Sequence, residues 1–467
     1  MSSTENLIKF KEIVLDSVSP SICSAKWLEA TMWLYDGVTA SCHHNPSHKI
    51  QLDPNNPSSL HDTTQKINER KAMLAGDKPS GCNYCWDTEK AGSVSDRYEK
   101  SLSHKTTMVK QPRLENHNIL TAAGKRYIES TFSNPNKSTL LHLEVAFSRV
   151  CNLGCMYCGP YFSNTWANDI RLNGPYNVNV ENKWDTRFED PLLHIKDEAA
   201  NPYIKAFFDW WPTLKTTLKT LRFTGGEPFL HVGMWRFLEE VVADDSYKGS
   251  IMINSNLIHD TKTIWKYIEL IKPTAAVRRY EIHTSCESSL SDAEFIRDGF
   301  DGQNWLGNVN LLLKELPSLK LTVTTAINNI SIWSYDEYIE IIAQLRLKYG
   351  KDRINLNANR VFHPSYQTVS IIDYDNRMLL SKRVQASILK LQSYNVCNEN
   401  DMDQLDSLIK YLEQLNMSSF DYSLTNSQEE KSLLKFLSEY KNRRNKTEET
   451  LTRGFKDWIK SVRSRHE

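Results

Sequence analysis

From about residue 139 the chain alternates two textures. Short runs rich in β-forming residues read as strands: LLHLEVAF (140–147), KTLRFT (219–224), SIMINSN (250–256), RRYEIHTS (278–285), LKLTVTTAI (319–327) and RINLNANRVF (353–362). Between the later ones lie WRFLEEVV, TKTIWKYIELI, WLGNVNLLLKEL and YDEYIEIIAQLRL, whose apolar positions recur at spacings of three and four. That period places them on one buried face of a helix. Strand–helix alternation predicts parallel strands, because a parallel pair needs a long crossover between its members. Six strands predict an α/β fold, either a partial (β/α)6 TIM-like barrel over residues 135–370 or an open α/β sheet. Residues 160–205 read as an insertion rich in Trp, Asn and Pro.

After about residue 375 the strand signal stops. RMLLSKRVQASILKLQ, MDQLDSLIKYLEQL, EKSLLKFLSEYK and LTRGFKDWIKSV predict a C-terminal helical segment, 371–467. Its last helix carries Phe455, Trp458, Ile459 and Val462 on one stripe, with Leu451 a turn earlier. Residues 441–467 hold nine Lys/Arg against four Asp/Glu, which reads as a solvated helix face or a docking surface for an acidic partner. Residues 1–125 read differently, as polar and irregular between short strand-like pieces. There TMWLYDGVTASC sets Asp36–Gly37 between two β-forming runs, the residues of a two-residue hairpin turn, so Cys42 leaves the second strand.

Composition narrows the class. The chain has 467 residues, 40% of them hydrophobic, enough for a sizeable core. Its 57 basic and 57 acidic side chains cancel, so a nucleic-acid partner is not expected. No run reaches the roughly 20 apolar residues of a membrane span. Residues 1–18 carry acids and no long apolar run, so neither a secretory signal nor a membrane association is expected. The nine cysteines fall mostly in two close-spaced groups, which favours metal binding in a reducing compartment, the cytoplasm, over disulfides.

The first group is Cys151, Cys155 and Cys158, directly after the first predicted barrel strand. C-x3-C-x2-C brings three thiolates to one side of a tight loop, a pattern for an iron–sulfur cluster or zinc, and no fourth Cys or His follows nearby. Gly225, Gly226 and Glu227 directly follow the second strand of the barrel. The glycines let backbone approach a ligand, and the carboxylate can accept from an ammonium group.

The stretch AFSRVCNLGCMYC resembles the signature of radical S-adenosylmethionine enzymes, with Tyr157 in its aromatic place. The resemblance implies that Cys151, Cys155 and Cys158 hold a 4Fe–4S cluster whose fourth iron chelates the amine and carboxylate of S-adenosylmethionine. It implies that Gly225, Gly226 and Glu227 hold the methionine amine. Ser255 and Asn256, after the third strand, match a Ser/Thr-Asn-Gly element near the ribose and the methionine carboxylate, with Leu257 where Gly is usual. Ser285 and Glu287, after the fourth, match a ribose-binding Ser-x-Asp/Glu element. The implied activity is reductive cleavage of S-adenosylmethionine to a 5′-deoxyadenosyl radical that takes hydrogen from a substrate. The implied electron donor is a flavodoxin or ferredoxin. Cys286 is a candidate hydrogen donor to a substrate radical, as in radical peptide epimerases.

The second group is Cys23, Cys42, Cys82 and Cys85, separated by 18, 39 and two residues. Four thiolates suit a second 4Fe–4S cluster or a zinc ion, with His43 and His44 as reserve ligands. The order Cys, strand–Asp-Gly–strand–Cys, Cys pair resembles the SPASM and twitch auxiliary domains of that superfamily, although there it usually follows the barrel. It implies an auxiliary domain over 1–125 and a peptide or protein substrate. A small metabolite or a nucleoside is the alternative. A non-catalytic iron–sulfur or zinc protein is the alternative of another class.

Overall fold

The computed structural model describes residues 3–109, 122–178, 201–244, 246–415 and 422–467. The chain is mixed α/β with a large, mostly parallel sheet. Among the described residues the strands are β1 (Glu29–Trp33), β2 (Val38–Ala40), β3 (His48–Lys49), β4 (His142–Ala146), β5 (Gly154–Cys155), β6 (Thr220–Thr224), β7 (Ser250–Asn254), β8 (Tyr280–Ser285), β9 (Arg297–Asp298), β10 (Lys320–Ile327) and β11 (Ile354–Arg360), with β5 and β9 forming a separate pair outside the large sheet. Two compact units share the chain. The first comprises Met1–Ser148, Leu192–Phe223 and Asp244–Ile251, and the second comprises Arg149–Pro191, Thr224–Ala243 and Met252–Glu467. No helix among the described residues is long and apolar enough to cross a membrane.

In the first unit the strand order is β6-β4-β1-β2-β3. β1 pairs parallel with β4, from Glu29 opposite His142 to Trp33 opposite Ala146, and antiparallel with β2. The predicted hairpin is present, but its loop is four residues, Leu34–Gly37, between the paired Trp33 and Val38. Leu34 donates to Ala146 O (2.9 Å), which holds it to β4 and keeps it from pairing across the hairpin. Gly37 adopts φ +61°, so the glycine is used as the sequence suggests.

The N-terminal region is more helical than its texture suggests, with helices Thr64–Leu74, Asn83–Lys90, Asp96–Val109 and Ala122–Phe132. The reason is visible in Thr64–Leu74, whose buried face is Lys66, Arg70 and Met73. Lys66 Nζ donates to Thr39 Oγ1 (2.8 Å), and Arg70 donates to Lys26 O (2.8 Å) and Asp62 Oδ1 (2.7 Å). A helix that buries hydrogen-bonded charge carries little apolar period to read. The core beside it gathers Phe10, Trp27, Leu28, Tyr127 and Phe132, with Trp27 edge-on to Phe132 at 5.1 Å.

In the second unit β8, β10 and β11 run parallel, with Lys320 opposite Glu281 and Leu321 opposite Ile354. Helices Val232–Ala243, Thr261–Ile271, Gly302–Glu315 and Tyr335–Tyr349 occupy the predicted helical stretches. Asp260 and Asp301 cap two of them through Thr263 N (2.8 Å) and Asn304 N (2.9 Å). Tyr374–Ser393, Glu399–Gln414, Tyr422–Arg444 and Arg453–His466 form the C-terminal helices. The expected stripe of the last is buried, and Trp458 packs 6.0 Å from Trp333. Arg463 pairs with Glu448 and Arg465 with Glu430, so part of the basic surplus is bound internally. Within the expected insertion, Asn164–Asn173 is helical and a second helix opens at Pro202; residues 179–200 lie outside the described residues.

Candidate active site and cysteine centres

The first cysteine group lies on a loop whose shape is fixed by side chains. Arg149 Nη1 donates to Pro160 O (2.7 Å) across its base. Cys151 N donates to Asn164 Oδ1 (2.8 Å), Thr165 Oγ1 to Cys151 O (2.7 Å) and Trp166 Nε1 to Cys155 O (2.8 Å). An irregular loop pairs only some of its backbone groups with one another, as Cys158 N does with Cys155 O (3.0 Å), so the rest need such partners. Cys155 also lies in β5, opposite Arg297 of β9.

Cys151, Cys155 and Cys158 all face one cavity of about 350 Å³. Burial pushes the Cys151 thiol up to about 12, with Cys155 adding to the shift. Burial likewise raises Cys158, with Cys155 and then Cys151 adding. Burial raises Cys155, against the pull of the Arg297 charge. Cys151 and Cys158 both feel Cys155, and all three line the same cavity. That donor set suits an iron–sulfur cluster with one iron left open.

The loops after β6 and β7 close on the cysteine loop. A Cβ on Gly226 would lie 2.2 Å from Val150 O, so only glycine fits there. Gly225 has φ +115°, and Glu227 N donates to Val150 O (2.7 Å). Gly225 and Gly226 line the cavity. The Glu227 carboxylate is 2% exposed and turns to the protein, accepting from Phe229 N (3.1 Å) and Asn256 N (2.7 Å), with His259 Nε2 3.3 Å away. Asn256 Nδ2 donates to Asn152 Oδ1 (2.7 Å), binding the β7 loop to the cysteine loop. Leu257, where the resemblance would place Gly, adopts φ +57° and is fully buried. The turn keeps the glycine conformation and accepts its strain in a leucine.

Ser255, Asn256 and Ser285 line the cavity, as does Tyr157. Tyr157 Oη donates to Glu287 Oε1 (2.9 Å), and Arg297 Nε donates to Glu287 Oε2 (2.7 Å). Glu287 is fully buried with both oxygens engaged. Cys286 is also fully buried, does not line the cavity, and donates to Ser288 O (3.6 Å); burial pushes its thiol up to about 12. Sequence reasoning missed Arg297, Asn254, Thr324, Thr325, Asn359 and Arg360, which also line the cavity. No local motif marks them, since each is brought in by strand pairing.

In the first unit, Cys23 precedes the short helix Ala25–Leu28, Cys42 follows β2, and Cys82 and Cys85 flank the start of Asn83–Lys90. Burial raises the Cys23 thiol, with Cys82 and Cys42 adding. Burial pushes Cys85 up to about 11, with Cys42, Asp96 and Cys82 adding. Cys23 and Cys85 each feel Cys42 and Cys82, so the four lie in one neighbourhood, although no three of their sulfurs come within 4.8 Å of one another. Arg97 braces them, donating to Ile22 O (2.7 Å) beside Cys23 and to both oxygens of Glu89 (2.9 Å each). His43, His44 and Asp96 stand close by, with ligand atoms all within 4.8 Å of one another. His44 Nε2 lies 2.7 Å from Asp96 Oδ2 and its ring stacks on Tyr84 at 3.8 Å. Asp96 had no sequence signal, since it is 52 residues from His44.

No family model matches the chain, and no curated protein matches it in sequence.

Proposed function

We propose that the chain is a radical S-adenosylmethionine enzyme with an auxiliary metal centre. One observation carries the reading: three thiols on one cavity wall, with the Gly225–Gly226 backbone packed directly on the loop that bears them. A reduced 4Fe–4S cluster held by Cys151, Cys155 and Cys158 would supply one electron to S-adenosylmethionine, releasing methionine and a 5′-deoxyadenosyl radical that takes hydrogen from the substrate.

The chain's own residues support that use in three ways. The half-buried thiols line one wall of a partly enclosed cavity. Gly225 and Gly226 offer backbone to a ligand with no side chain in the way. Ser255, Asn256 and Ser285 supply polar groups for ribose hydroxyls and a carboxylate. Glu227 and Glu287, by contrast, act from behind the wall, fixing the Asn256 backbone and Tyr157.

The reading extends the α/β fold to a partial (β/α)6 barrel, on the parallel pairing of β8, β10 and β11 and the strand–helix alternation. It assigns Cys23, Cys42, Cys82 and Cys85 to a second 4Fe–4S cluster, with zinc as the alternative. A cytoplasmic location and a flavodoxin or ferredoxin donor go with it. The substrate, a peptide or protein with a small metabolite or nucleoside as alternative, rests on the resemblance alone.

The test is anaerobic reconstitution with iron and sulfide, then S-adenosylmethionine and dithionite. Formation of 5′-deoxyadenosine is expected, and its loss in Cys151→Ala/Cys155→Ala/Cys158→Ala. Iron-loaded parent that yields none with several reductants returns the chain to the non-catalytic metalloprotein class.

A further inference from the structure

We propose that Arg297 is a positioning residue that raises the reduction potential of the cluster held by Cys151, Cys155 and Cys158, and that Glu287 sets how much of its charge the cluster feels. The proposal rests on the function proposed above.

The geometry is specific. Arg297 lies directly across the β5–β9 pair from Cys155, and its side chain is 7% exposed. Its Nη1 donates to Cys155 Sγ at 3.5 Å, while Nε donates to Glu287 Oε2 at 2.7 Å. Its guanidinium carbon lies 5.5 Å from the centre of the Tyr157 ring. Tyr157 Oη holds the other Glu287 oxygen at 2.9 Å. The guanidinium is therefore gripped on one side by a carboxylate and presents its remaining edge to a ligand sulfur.

Arginine keeps its charge at every accessible pH, so this is a fixed positive charge beside a thiolate. Adding one electron makes a cluster more negative. A nearby cation and a hydrogen bond to a ligand sulfur both favour that form, and these are among the protein's means of setting the potential. Glu287 opposes the effect, because its negative charge lies against the same guanidinium. A purely structural ion pair would hold the fold and leave the potential alone. On the proposal the two changes act with opposite sign: removing the cation lowers the potential, and neutralising the carboxylate raises it.

The experiment is an EPR-monitored redox titration of the full-length reconstituted protein, with dithionite supplying the single electron. The relevant signal is the one that disappears in the Cys151→Ala/Cys155→Ala/Cys158→Ala variant. Arg297→Met is expected to lower its midpoint by at least a tenfold change in the reduction equilibrium, about 59 mV for one electron. Arg297→Lys should fall between Met and parent, and Glu287→Gln should move the midpoint upward. Midpoints unchanged in both Arg297→Met and Glu287→Gln, or moved in the same direction, overturn the proposal. If Arg297→Met binds no iron, the upward shift in Glu287→Gln decides alone. If no signal depends on the three cysteines in the parent, the function proposed above falls and this inference falls with it.

Discussion

At the scale of single residues, the site depends on what Gly226 lacks. A methyl there would meet Val150 O at 2.2 Å, and that carbonyl belongs to the residue before Cys151. Gly226→Ala must therefore displace the cysteine loop. We expect the variant to retain its secondary structure by circular dichroism while losing most of the iron that depends on Cys151, Cys155 and Cys158. Gly307→Ala is the control. Gly307 lies inside the helix Gly302–Glu315 with open space where a Cβ would go, so a gain of about 0.5–1 kcal/mol and unchanged iron are expected. The three cysteines and the two glycines were legible in the sequence because chemistry and local backbone freedom both mark them. Arg297 was not, because it carries no spacing relation to Cys155; only the two-residue pairing of β5 with β9 brings them together. Glu227 and Glu287 were legible as site residues, but a sequence does not say which way a carboxylate turns.

Among elements, the helix Asp96–Val109 of the first unit is tied to β1 by half-buried charge. Glu29 lies 2.6 Å from Lys100 Nζ and 3.0 Å from His104 Nε2. Burial alone would raise the Glu29 carboxyl; the His104 ring and the Lys100 ammonium overcome it and hold the group at about 2 instead of 4.5. A depressed carboxyl contributes stability above its unfolded value and loses it as pH falls through the folded one. Glu29→Gln should therefore cost roughly 3 kcal/mol at pH 7. The difference between variant and parent should close as pH falls from about 4.5 towards 2. Urea unfolding followed by tryptophan fluorescence across that range checks it; a gap that persists at the acid end contradicts it. Helices that bury an apolar stripe, such as Thr261–Ile271 with Ile264, Tyr267, Ile268 and Ile271, were legible from period alone. Thr64–Leu74 was not, since its buried face is mostly charged.

For the whole molecule, two cysteine groups lie in two different units, and metal content should report both. The reconstituted parent is expected to hold about eight irons, four per cluster, and the triple cysteine variant about four. Iron, sulfide and zinc analysis of both proteins separates the assignments; a variant that keeps zinc and no iron makes the centre at Cys23, Cys42, Cys82 and Cys85 a zinc site. The α/β class was legible at this scale, because strand–helix alternation is a global rhythm. The sharing of the chain was not, because no local window records that Leu192–Phe223 and Asp244–Ile251 return to the unit begun at the N-terminus. That return has a consequence during synthesis. A ribosome delivers Cys23, Cys42, Cys82 and Cys85 long before it delivers β6, which completes the sheet order beside β4. The core packed beside them runs only from Leu7 to Leu141, so their surroundings are made about eighty residues ahead of β6 and can settle before that sheet order is complete.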